Sequence, residues 1–349
     1  MISLPPEPFY FSRALTIVFF TFLIGVIWTP SWIRWLKKAR MGKQIRAAAD
    51  APIMNGLHAG KNGTPTMGGV VVWGTVAMVL ILSRVLCILS PSYCSWNFLS
   101  RAQTVLPFGA LIAAAMLGLV DDYFNIRGIG PKGGGLPMRF RLFSYSLIAV
   151  VVSWWFVQKL DWTVFHIPFY GTFTLGLSAI VVYAFIIIAT SFSVNETDGL
   201  DGLAGGPLLT SFGAYAVIAF AQGKYDLGTF CAAIVGALLA FLWWNVPPAS
   251  FFMGDTGAMS LGTVLAVVAL QTNQPLLLML IGLPFVVESI SVFIQIASKK
   301  IRKKKIFLSA PIHHHFEAIG WKECQIVFRT WIISLLVAGV GVVLALMDR

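Results

Sequence analysis

The sequence has 349 residues, of which 58% are hydrophobic and only 11% charged, with a net charge of +11. Soluble domains carry about 25% charged residues, so a chain this poor in charge has too little polar surface to stay in water. The basic excess lies in short loops between long apolar runs rather than on a soluble basic domain, which argues for a membrane topology signal and against nucleic acid as a partner.

Ten spans are predicted, at about residues 11–35, 67–90, 104–120, 141–158, 172–190, 206–222, 228–246, 257–272, 275–297 and 327–347. Each approaches the roughly 20 residues that cross a bilayer. The first run, about Phe11 to Trp35, is too long for the core of a signal peptide and lacks a basic flank before it, so it is expected to stay as a span. No repeat, low-complexity segment or long linker interrupts the chain, and residues 1–349 read as a single all-α integral membrane domain. Nineteen of the 25 Lys and Arg residues fall in the odd-numbered loops and six on the other side. The positive-inside rule then puts the odd loops in the cytoplasm and both termini in the periplasm. The four cysteines form no CxxC pair and show no metal-type spacing; Cys87 and Cys231, inside apolar runs, read as small hydrophobic filler.

Taken in chain order, the polar motifs all fall in or beside the odd loops. The string Lys61-Asn-Gly-Thr-Pro-Thr66-Met-Gly-Gly precedes the second span, and Asp121-Asp122 ends the third. Acids are disfavoured at a helix C-terminus, so two in succession need a further reason. Adjacent carboxylates can hold Mg²⁺ that bridges phosphates, or take a proton from a nucleophile. Asn195-Glu-Thr-Asp198-Gly-Leu-Asp201-Gly follows, with Asp198 and Asp201 spaced to share one helix face or to cap the next span. Asn245 and the string Phe-Met-Gly-Asp255-Thr-Gly come next; Asp255 precedes a span and would cap it if it were only structural. Six basic residues between Lys299 and Lys305 read as an anchor on anionic membrane lipid. His313, His314 and His315 are adjacent, so their side chains diverge; they read as donors to phosphate or sugar oxygens rather than as one zinc site. Carboxylates close to or inside spans, Glu288 among them, are costly there and count as functional candidates.

In this order the motifs resemble those of the phospho-N-acetylmuramoyl-pentapeptide transferase family, over about Gln44 to Leu335. The Asp-Asp and Asn-x-x-Asp-Gly motifs are shared with the wider polyprenyl-phosphate hexosamine-1-phosphate transferases. The Gly-Thr-Pro-Thr-Met-Gly-Gly and Pro-Ile-His-His-His strings point to the muramoyl-pentapeptide branch. The resemblance implies a Mg²⁺-dependent enzyme of the bacterial inner membrane, with its active site at the cytoplasmic face. It would transfer phospho-N-acetylmuramoyl-pentapeptide from UDP-N-acetylmuramoyl-pentapeptide to undecaprenyl phosphate, giving lipid I and UMP for peptidoglycan synthesis; a homodimer is a candidate assembly. It also implies Asp255 as the metal ligand and Asp121, Asp122, Lys61 and His313 as catalytic residues. Thr66, Asn195, Asp198, Asp201, Asn245, His314, His315 and Arg141 would bind substrate. Three positions depart from the family pattern: Phe192 where Asn is common, Glu196 where Leu is common, and Arg141 where Lys is usual. Two other readings compete, a sister enzyme transferring N-acetylglucosamine-1-phosphate and a secondary transporter. The His triplet opposes the first, and the absence of repeat symmetry opposes the second.

Overall fold

The computed structural model describes residues 7–42, 63–131 and 134–348. Lys61, one of the expected catalytic residues, lies outside them. The fold is almost wholly helical. In chain order the main helices are α1 (Glu7–Lys38), α2 (Gly69–Leu89), α3 (Val105–Ile126), α4 (Met138–Lys159), α5 (Ala179–Thr197), α6 (Gly205–Ala221), α7 (Tyr225–Asn245) and α8 (Asp255–Gln271). They are followed by α9 (Leu277–Ile281), α10 (Leu283–Ile301), α11 (Ile312–Ala318) and α12 (Glu323–Met347).

Among the described residues, seven helical segments are long and apolar enough to cross a membrane: α1 to α4, the segment Gly176–Thr197 that contains α5, α7 and α12. The apolar helices α6 and α8 are shorter, at 17 residues each. The span expected at 275–297 is instead two helices, α9 and α10, broken at Gly282 with Pro284 entering the second. The span expected at 172–190 also begins differently. Residues Val164–Ile167 and Gly171–Thr174 pair as an antiparallel hairpin, and the helix starts only at Ala179. Gly171 and Gly176, with positive φ, and the β-branched Thr172 and Thr174 favour that short turn over a helical start.

Helix α8 is the centre of the bundle: every residue from Thr256 to Gln271 is buried. It packs against α3 and α5, while α7 packs against α1, α2 and α6. Small residues make the close approach to α3 feasible, as in other membrane helix pairs. A Cβ at Gly118 would stand 2.5 Å from the Thr256 backbone, so only glycine fits at that crossing. Thr256 Oγ1 also donates to the carbonyl of Ala115 at 2.9 Å, tying α8 to α3 about two turns before the Asp121-Asp122 pair. The crossing therefore sets how far the acids on α3 stand from the start of α8.

One sequence expectation is corrected at the far end of α2. Cys87 is not apolar filler but is joined by a disulfide to Cys94. The short 3₁₀ turn Pro91–Trp96 folds the chain back on the last turn of α2, bringing the two Cα atoms to 4.2 Å. Cys231 is buried in α7, as expected, and Cys324 is exposed.

The crossing gives a stability prediction. Gly118→Ala forces α3 and α8 apart and is expected to cost about 1–3 kcal/mol, the usual range for overpacking a tight contact. Thermal unfolding in detergent checks this; an unchanged midpoint would mean that the helices are free to separate there.

Candidate active site

The site forms where the C-terminal end of α3, the start of α4, the end of α5 and the start of α8 converge. Asp255 is the first residue of α8, after Gly254, whose φ of 74° falls in the left-handed region. A Cβ at Gly254 would lie 2.5 Å from Asp122 Oδ2 and 2.8 Å from Thr66 Oγ1, so glycine is needed on both steric and conformational grounds.

Asp122 supplies the cap for this helix. Its Oδ1 accepts from the Asp255 N–H and its Oδ2 from the Thr256 N–H, both at 3.1 Å. The sequence reading considered Asp255 as a cap for its own helix. The cap instead comes from the neighbouring acid of α3, and it leaves the Asp255 side chain turned to the other residues of the site. Asp198, just past the end of α5, accepts from the Gly254 N–H at 3.2 Å and fixes the same turn from the opposite side.

Arg141 gathers the remaining groups. Its Nη2 meets Asp255 Oδ2 at 2.7 Å and Asn195 Oδ1 at 3.3 Å, and its Nε lies 3.4 Å from Asp121 Oδ2. The Asn195 amide nitrogen donates to Asp255 Oδ1 at 2.8 Å. Asp121 is buried, and its Oδ1 accepts from the Leu136 N–H, which fastens the loop before α4. Asp121, Asp122, Asp255, Arg141, Asn195, Asp198 and Thr66 thus form one group.

A second group ties the neighbouring loops. Asp201 Oδ2 accepts from the Ala249 N–H at 3.1 Å, and the Asp201 N–H donates to Glu323 at 2.8 Å. Asn245 accepts from the Gly202 N–H at 2.9 Å and donates to the Phe251 carbonyl at 2.8 Å. A cavity of about 420 Å³ opens beside them, lined by Asp201, Phe252, Glu323, Cys324 and the turn Pro247–Ala249 with Thr64.

The three histidines part company. His313 Nδ1 pairs with Glu288 at 2.9 Å, His314 Nδ1 with Glu317 at 2.7 Å, and His315 Nδ1 accepts from the Leu308 N–H at 3.3 Å. His313 turns toward the acid-rich loops. Its Nε2 is buried without a hydrogen-bond partner and abuts Gly199, between Asp198 and Asp201. His314 and His315, expected to bind substrate, meet Glu317 and the chain before α11 through their Nδ1 atoms. Glu288 is the partner that gives His313 its orientation. Its sequence signal was the charge itself, set inside an apolar helix. Glu323 carried no such signal, because it opens a helix where an acid is ordinary. Of the unusual positions, Phe192 packs edge-on against Tyr145 of α4, 6.3 Å between ring centres, and Glu196 is exposed.

The donor set suits a hard cation. Among the described residues no three His, Cys, Asp or Glu side chains are arranged to hold a metal ion. Mg²⁺, however, commonly takes one or two carboxylates and completes its shell with water and substrate phosphates. Asp255 and Asp121, both reaching the same cation on Arg141, fit that pattern.

The sequence also matches known proteins along nearly its whole length. Residues 104–273 match the model for glycosyl transferase family 4, and residues 61–71 match signature 1 of the phospho-N-acetylmuramoyl-pentapeptide-transferases. A phospho-N-acetylmuramoyl-pentapeptide-transferase of Chloroflexus aggregans is 40% identical over 96% of this chain and 90% of its own length. Proteins of the same name from Geobacillus sp. and Geobacillus thermodenitrificans are 37% and 39% identical, over 93% and 92% of this chain and 95% and 94% of their own. At that identity and coverage, the chain belongs to the phospho-N-acetylmuramoyl-pentapeptide-transferase family.

Proposed function

We propose that this protein transfers phospho-N-acetylmuramoyl-pentapeptide from its UDP-linked donor to undecaprenyl phosphate, releasing UMP and forming lipid I for peptidoglycan synthesis. The protein is a multi-pass transferase of the bacterial inner membrane. The observation that carries the reading is the meeting of Asp121, Asp255, Asn195 and Arg141 at one point, in a chain whose relatives are named for this reaction.

The chemistry asks for such a site. An oxygen of the acceptor phosphate attacks the donor phosphorus that carries the sugar, and the bond to the UMP oxygen breaks. Both partners are anions, so positive charge must offset their repulsion. Mg²⁺, held by Asp255 with Asp121 beside it, would supply part of that charge when bound. Arg141 supplies a guanidinium, and Lys61 is the proposed second cation. A lipid phosphate is already mostly ionised near neutral pH, so the main task of Asp121 is to orient the acceptor. Asn195 holds Asp255 in its rotamer. Thr66, Asp198, Asp201 and Asn245 shape the surrounding turns, and His313 presents Nε2 to the donor. Asp122 acts through the backbone of Asp255.

We also propose that the chain crosses the membrane ten times, with α6, α8 and the broken pair α9–α10 adding to the seven long helices. Both termini would be periplasmic and the site cytoplasmic. Two observations support this orientation. The odd loops hold most of the basic residues, and the Cys87–Cys94 disulfide falls in an even loop, on the oxidising side of a bacterial membrane.

Two outcomes follow. Purified protein in detergent is expected to release UMP with UDP-N-acetylmuramoyl-pentapeptide and not with UDP-N-acetylglucosamine; equal turnover of both donors would favour the sister enzyme. In cells with a permeable outer barrier, a membrane-impermeant thiol reagent is expected to label a cysteine placed at Lys159 and to leave one at Lys303 untouched. The reverse pattern would put the active site on the outer face.

A further inference from the structure

Arg141 sits in the first turn of α4, where the helix dipole works against a cation, and the facing acids compensate it. Both oxygens of Asp255 are in use: Oδ1 accepts from Asn195 at 2.8 Å, and Oδ2 pairs with Arg141 at 2.7 Å. A divalent ion bound to Asp255 therefore meets a carboxylate already held by a guanidinium. The fork is imperfectly matched to its partners. Arg141 Nη2 is shared between Asp255 and Asn195, while Nε is buried and makes no hydrogen bond, standing 3.4 Å from Asp121. A guanidinium cannot lose its proton near neutral pH, so its charge leaves the acids only if the side chain moves.

From this we infer that Arg141 is the resident counter-ion of the acid cluster and competes with the divalent cation for Asp255 and Asp121, so that the residue at position 141 sets the metal affinity of the enzyme. When cation and diphosphate are both present, the guanidinium is released from Asp255 and meets phosphate oxygens, for which its planar fork is well suited. Metal and anionic substrate then help each other to bind, because each lowers the cost of moving Arg141, and that coupling is reciprocal. A lysine at 141 would carry the same charge as a compact point on a flexible stem. It would hold one carboxylate at a time and yield more readily to the metal.

The inference rests on Asp255 being the metal ligand, and the experiment separates the two claims. Mn²⁺ binding to the purified full-length protein is measured without nucleotide, by the loss of the free-ion paramagnetic resonance signal, for the parent, Arg141→Gln, Arg141→Lys and Asp255→Asn. Arg141→Gln is expected to bind Mn²⁺ about tenfold more tightly than the parent, within the usual range of coupling between sites. Arg141→Lys should fall between them, and UMP release by Arg141→Gln should drop despite the tighter metal. Equal or weaker Mn²⁺ binding by a correctly folded Arg141→Gln, or by Arg141→Lys if the glutamine variant does not fold, would overturn the competition. Mn²⁺ binding unaffected by Asp255→Asn would overturn the metal assignment, and the competition with it.

Discussion

The cap that Asp122 places on the buried start of α8 is the interaction on which the rest of the site depends. A helix end leaves its first N–H groups without partners, and inside a membrane protein no bulk water is at hand to supply them. One carboxylate takes both the Asp255 and Thr256 N–H groups. The same contact explains an acid at the C-terminal end of α3, a position the dipole of its own helix disfavours. The positive end of α8 outweighs the negative end of α3, because the carboxylate bonds directly to the former. Gly118 and Gly254 are the steric conditions for that contact, since a side chain at either would push α3 and α8 apart or displace Asp122.

From the cap outward, each layer serves to hold charge in place. Asp255 is positioned through its own backbone, then fixed in rotamer by Asn195 and neutralised by Arg141. Asp121 is held by the chain before α4, so the loop that delivers Arg141 is fastened to the acid that Arg141 meets. Further out, Asp201, Asn245 and Glu323 stitch three loops together around a cavity, and Glu288 orients His313 from α10. Most of these bonds link a side chain to the backbone of another element. The geometry therefore survives only while the helices keep their spacing, which makes the site a property of the whole bundle rather than of one loop.

Much of this was legible in the sequence, for physical reasons. Apolar runs near bilayer length announced most of the helices, and acids beside apolar runs marked Asp121, Asp122, Asp255 and Glu288, because carboxylates are costly there. The break at Gly282 and the hairpin before α5 were not legible. Both lie within runs whose hydrophobicity suits a continuous span, and only the local backbone preferences of Gly, Pro and Thr distinguish them. The disulfide was hidden because Cys87 and Cys94 are seven residues apart and meet only after the 3₁₀ turn reverses the chain. Residue roles were harder than residue identities. The pair Asp121-Asp122 looks like two equivalent acids, yet one faces a guanidinium and the other a helix terminus; that division arises from how α8 docks, which no spacing along α3 encodes. The His triplet is similar, with three neighbours sent to three partners.

The central claim is that Asp122 acts through Asp255 rather than on the substrate. A double-mutant cycle on UMP release tests it most directly, with Asp122→Ala, Asp255→Asn and the pair. Asn keeps the size of Asp255 while removing its charge, and is expected to lower turnover by at least ~100-fold, on the order of 2.7 kcal/mol of transition-state stabilisation. Asp122→Ala is expected to lower turnover at least ~10-fold and also to lower thermal stability, by the ~1 kcal/mol typical of a lost cap. If Asp122 works only by placing Asp255, the double variant is no slower than Asp255→Asn alone, within about threefold. Losses that multiply in the double variant would mean that Asp122 meets the substrate or the metal independently, and would contradict the account.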